Sequence, residues 1–108
     1  MKIELETILS IEHEEFPNIL EIEIDENSSS IGELISKIHE LTNIPTNIEL
    51  HWEDQIEKIS CSYYFIKKTD FNEYVLITDF DDKICNLPKH GENGNLFILV
   101  DGSTRLAN

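Results

Sequence analysis

The stretch Ser28 to Pro45, "SSSIGELISKIHELTNIP", allows few conformations. Ser30 followed three positions later by Glu33 is a capping box, in which side chains satisfy the N–H groups that a helix start leaves free. Ile31, Leu34, Ile35, Ile38 and Leu41 then recur at helical spacing, so one face of the segment is apolar. Asn43 is suited to close the helix, and Pro45 stands where the helix has already ended, because proline disfavours helical backbone in the residue before it. The chain therefore contains one short, firmly bounded amphipathic helix whose greasy stripe needs a partner layer.

Strands supply that layer. "KIELETIL" (2–9) alternates, with Ile3, Leu5 and Thr7 or Leu9 on one side. After a polar connection containing Pro17 and Asn18, "ILEIEID" sets Leu20, Ile22 and Ile24 against Glu21 and Glu23, so the two runs read as a hairpin with one apolar face. Beyond the helix, "NIELHW" (47–52) reads as a strand with Ile48, Leu50 and Trp52 on a shared side. "EDQIEKIS" carries no assignment, "CSYYFIKK" and "EYVLITDF" form a second hairpin through "TDFN", and "NLFILV" (95–100) closes the fold. One helix over a mixed sheet is an α+β arrangement. With 108 residues and no dividing linker, the chain is expected to be one domain over 1–102, followed by a polar tail at 103–108.

Charge narrows the partners. Eight Lys and Arg face 22 Asp and Glu, for a net charge of -14. Such a surface repels phosphate backbones and anionic lipid, so neither nucleic acid nor membrane is an expected partner, whereas a basic protein is compatible. No run approaches the ~18 apolar residues of a membrane span, and the N-terminus lacks the apolar core of a signal peptide. A soluble, intracellular, cytoplasmic protein is expected, with Cys61 and Cys85 reduced.

Catalytic chemistry has no evident carrier. His13, His39, His51 and His90 are scattered without metal-ligand spacing. The two cysteines have no neighbouring histidine in sequence. "DFDD" (79–82) lacks the glycine and terminal glutamate of a calcium loop, and no glycine-rich phosphate loop is present. The expectation is a protein that is not an enzyme and holds no cofactor or metal.

The order of elements, and the offsets of Ile31, Leu34, Ile38 and Ile44-Pro45, resemble ubiquitin and its β-grasp relatives. "KICNL" (83–87) and "GNLFILV" (94–100) resemble that family's short apolar turn and last strand. The resemblance implies a mixed sheet packed on one helix, with an inserted β-hairpin, at about 56–80, before the last strand. It also implies a non-catalytic module bound by other proteins on the outer sheet face. There the register sets His51 outward on the third strand and Phe97 and Leu99 outward on the last. The inserted aromatic segment adds a candidate surface at its tip, Lys67 to Asn72, with Lys67 and Lys68 as the partner-binding residues.

Two alternatives come with the same resemblance. One is a ubiquitin-like modifier attached through its C-terminus, although "DGSTRLAN" lacks the terminal Gly-Gly of that class. The other rests on "TDFDDKICNL", which resembles the ubiquitin-fold domain of activating enzymes, where the fold recruits a conjugating enzyme. In each case the expected partner is a protein, and the ubiquitin-like conjugation machinery is a candidate source of it.

Overall fold

The structure, a computed structural model, describes residues 1–10, 15–67, 73–89 and 94–103. Its elements in order are β1 (Lys2–Leu9), β2 (Ile19–Glu21), α1 (Ile31–Thr42), β3 (Asn47–Trp52), β4 (Gln55–Ser60), β5 (Ser62–Lys67), β6 (Glu73–Leu76), a 3-10 turn (Ile84–Asn86) and β7 (Leu96–Gly102). The fold is α+β: one helix against a mixed five-stranded sheet of order β2-β1-β7-β5-β6, with β3 and β4 paired separately.

Helix α1 begins and ends as its sequence dictates. The Ser30 hydroxyl accepts the Glu33 N–H at 3.2 Å, and Asn43 adopts a left-handed conformation (φ 60°) that closes the last turn. The remaining first-turn N–H groups are satisfied from afar: Ile31 donates to the Asp82 carbonyl at 2.8 Å and Gly32 to that of Phe80 at 2.9 Å. The 79–86 segment is thus stitched to the start of α1, and a Cβ on Gly32 would stand 3.2 Å from the Phe80 carbonyl oxygen. Ile31, Leu34, Ile35 and Ile38 are buried, but Leu41 is 52% exposed and does not join the apolar stripe as its spacing suggested. It falls in the final turn, beyond the part of α1 that the sheet covers.

The core lies between α1 and one sheet face. Strand β1 runs parallel to β7 at the centre of the sheet, pairing Ile3 with Leu96 and Leu5 with Ile98. Those four side chains, with Leu20, Ile22, Tyr63, Ile77, Ile84, Leu87 and Val100, form one buried cluster with the helix. Each fully buried Leu or Ile contributes about 1.5–3 kcal/mol, so this alternation is what holds helix to sheet. The β1–β2 hairpin is present, but ladder pairing stops at Glu21; Ile22 nonetheless stays buried, its N–H donating to the Met1 carbonyl at 2.8 Å.

The 47–60 region departs from expectation. Strand β3 does not enter the main sheet; it pairs antiparallel with β4, through a tight turn at Glu53 (φ 46°). The strand beside β7 is instead β5, with Tyr63 opposite Val100 and Phe65 opposite Ile98. The hairpin expected from "CSYYFIKK" and "EYVLITDF" forms as β5 and β6, Tyr64 pairing with Leu76 and Lys67 with Glu73, and it is part of the main sheet. The pair outside the sheet is β3–β4, an excursion whose ends meet where the Cys61 N–H donates to the Thr46 carbonyl at 3.1 Å. No short-range hairpin signal marks that turn, because Glu-Asp stands where Asn-Gly or Asp-Gly would announce it.

The Ile-Pro segment is the root of this excursion. Ile44 is buried, and its carbonyl accepts a hydrogen bond from His39 Nδ1 at 2.7 Å. A carbonyl only accepts, so Nδ1 carries a proton, and Nε2 is hydrogen-bonded to the Tyr63 hydroxyl at 2.6 Å. The Cys61 thiol donates to the Pro45 carbonyl at 3.3 Å. Helix end, hairpin root and β5 are therefore joined by three side chains, and the end of β7 packs against the same place. A Cβ on Gly102 would fall 2.5 Å from Ile48 Cδ1 and 2.9 Å from Leu9 Cδ2, which explains a glycine there.

Candidate outer-face site

On the sheet face turned away from α1, ladder register aligns Glu4, Glu6 and Ile8 of β1 with Phe97, Leu99 and Asp101 of β7. Ser62 and Tyr64 of β5 stand beside Asp101 and Leu99 in turn, and Tyr74 and Leu76 of β6 flank Ile66 and Tyr64. A sheet face with this many apolar residues, and no helix over it among the described residues, is unusual for one bathed in water, where alternation normally delivers polar side chains.

The apolar residues here are organised across the strands. Tyr74, on the edge strand, reaches toward β1: its hydroxyl donates to the Glu6 carboxylate at 3.3 Å, and its ring meets that of Phe97 at a centroid distance of 6.2 Å. Beneath this strap Leu99 and Ile66 are buried although they lie outside the main core. Tyr74 and Leu76 remain about half exposed. Burial raises the Tyr74 hydroxyl above the ordinary tyrosine range, and the negative charge of Glu6 raises it further.

A cavity of about 330 Å³ opens beside the strap, lined by Ile8, Tyr64, Tyr74, Leu99 and Asp101. A neighbouring cavity of about 430 Å³ runs from Asp101, Ser103, Tyr64 and Leu76 toward Glu57 to Ser60 of β4. Asp101 is shared by both and is only 4% exposed. Its Oδ1 accepts the Ser103 N–H at 3.0 Å and the Ser103 hydroxyl at 2.7 Å. The Cys61 thiol is raised chiefly by burial and then by the charge of Asp101.

The residues expected to bind partners are only partly brought together. Phe97 and Leu99 lie on the outer face as expected, Phe97 half-buried and Leu99 fully covered. His51 is not beside them: it sits on β3, outside the sheet, opposite the exposed Ile56 and 3.9 Å from Glu49. The expectation failed because it put 47–52 next to β7, the place that β5 takes. Lys67 ends β5, exposed, opposite Glu73; Lys68 and the rest of the tip to Asn72 lie outside the described residues, as do His13, His90 and most of the tail.

Sequence reasoning misses Tyr64, Tyr74 and Asp101 as members of this face. Tyr64 and Tyr74 fall in the segment that reads as an insertion, and Asp101 falls just past Val100, where the closing strand is read to end. The signal that could have found Asp101 is the alternation of Phe97, Leu99 and Asp101, which continues the strand two residues beyond Val100.

Among the described residues no group of three or more His, Cys, Asp or Glu is placed to hold a metal ion, and no helix is long and apolar enough to cross a membrane. Compared with protein-family models, with curated proteins and with solved structures, the chain gives no match.

Proposed function

We propose that this chain is a ubiquitin-like β-grasp domain that acts as a non-catalytic protein–protein interaction module and docks a partner on the outer face of its sheet. The observation that carries the reading is the apolar surface left open on that face: half-exposed Tyr74 and Leu76 continue the surface formed by Tyr64, Phe97 and Leu99. Aromatic residues clustered at the centre of a patch are the usual anchors of protein interfaces. The β-grasp reading is supported by the strand order β2-β1-β7-β5-β6, with a parallel central pair and one helix packed across it. In this reading β5 takes the third sheet position and the β3–β4 hairpin is the insertion.

The docking surface is accordingly centred on Tyr64, Tyr74, Leu76 and Phe97, and His51 belongs to the hairpin and not to the patch. Attachment through the C-terminus is the weaker alternative. Gly102 lies inside β7, buried, and its carbonyl accepts the Ser10 N–H at 3.1 Å, so a cut after this glycine leaves no free arm.

The test compares proteins retained by the immobilised wild-type chain with those retained by Tyr74→Ala/Leu76→Ala and by Leu41→Ala. Partners lost with the first variant and kept with the second support docking on the outer face. The reverse pattern, with both variants folded by circular dichroism, moves the interaction to the helix side and defeats the reading.

A further inference from the structure

Asp101 is a carboxylate with unfinished bonding. It is 4% exposed, Ser103 occupies Oδ1 twice over, and no donor among the described residues reaches Oδ2. A carboxylate removed from water with one oxygen unpaired is costly unless a cation or donor completes it. The basic residue among those described that line the adjoining cavity is Lys58, and its ammonium lies 3.8 Å from Glu49.

The surroundings define what would complete it. The cavity beside Asp101 is walled by Ile8, Tyr64, Tyr74 and Leu99, a lining of aliphatic and aromatic carbon with Asp101 as its charged group. Such a site suits a long apolar stem that ends in a compact cation. The tyrosine rings favour a cation near their faces. A single free oxygen provides one strong acceptor, which fits an ammonium; a guanidinium is best used where both carboxylate oxygens are free for its fork. The net charge of -14 draws a basic segment to this surface.

We propose that the cavity bounded by Ile8, Tyr64, Tyr74, Leu99 and Asp101 receives a lysine side chain from the docking partner, with its ammonium on Asp101 Oδ2 and its stem between Tyr64, Tyr74 and Leu99. The proposal rests on the outer-face docking reading and adds the chemistry of its anchor. The partner segment is a basic one whose lysine is flanked by apolar residues that cover Leu76 and Phe97.

The test uses n-butylammonium as a probe of the side chain alone, with n-butanol as its uncharged counterpart, titrated into isotope-labelled full-length protein. Saturable shifts at Leu99, Tyr64, Asp101 and Ser103, in the millimolar range expected of so small a ligand, support the proposal if butanol binds at least about ten-fold more weakly and Asp101→Asn removes that preference. The amide introduced by Asp101→Asn keeps a carbonyl oxygen for Ser103, so this variant retains the local turn. Shifts scattered over the surface carboxylates, or unchanged in Asp101→Asn, overturn the proposal. If protein partners still bind the outer face of Asp101→Asn with undiminished affinity, the docking reading stands and the lysine anchor falls.

Discussion

The Tyr74 hydroxyl lies 3.3 Å from the Glu6 carboxylate, so a residue of the sheet's edge strand is tied to one three strand positions away. The bond is exposed and contributes little by itself, but it lays the Tyr74 ring over Leu99 and against Phe97. Tyr74→Phe is therefore expected to change stability by less than about 1 kcal/mol. Tyr74→Ala, which uncovers Leu99, should cost about 1–3 kcal/mol. Urea denaturation of the three proteins decides this; equal losses in both variants would mean that the hydroxyl, and not the ring, holds the strap.

Tyr63 should report on the joint between helix and hairpin root. Burial, with the Cys61 charge adding, pushes its hydroxyl up to about 12. Because the folded value lies above the unfolded one, this group's contribution to stability is complete below about pH 10. It is lost as the pH climbs from there toward 12. Tyrosinate absorbance should show a component titrating near 12 that disappears in Tyr63→Phe. The same substitution leaves His39 Nε2 without its hydroxyl partner and should cost about 1–3 kcal/mol at neutral pH.

The central pair β1–β7 and the helix end make opposite predictions for similar residues. Ile98 is fully buried, and Ile98→Ala should cost about 2–5 kcal/mol through lost contacts and the cavity left behind. Leu41 is half exposed on the last turn, and Leu41→Ala should stay within about 0.5 kcal/mol. A large loss at Leu41 in thermal or urea unfolding would restore it to the core.

The β3–β4 hairpin should open independently of the sheet. Apart from Ile48, Leu50 and Ile59, its described side chains are exposed, and β4 is exposed almost throughout. Amide hydrogen exchange in Gln55–Ser60 should run at least about 100-fold faster than in Ile3–Thr7 or Phe97–Val100, because local opening there disturbs few buried contacts. Equal protection in both regions would make the hairpin an integral part of the cooperative unit.

Local signals in the sequence determined helix α1, its caps and its stop before Ile44-Pro45, since capping, helical spacing and proline geometry act within a few residues. They also determined the β1–β2 hairpin and the inward set Leu96, Ile98 and Val100, where strict alternation leaves one apolar face to bury, while the short turn around Ile84 was implied by the family resemblance. Which strand lies beside β7 was decided only by tertiary structure. "NIELHW" and "SYYFIK" are both competent strands, and nothing local says which will pair with the central strand. The sheet takes Ser62–Lys67, whose Tyr63 and Phe65 fill the space over Val100 and Ile98, and leaves 47–60 to pair with itself. That choice displaced His51 from the outer face and brought Tyr64, Tyr74 and Asp101 together there. Strand pairing is a non-local competition settled by packing, and the candidate site is one of its consequences.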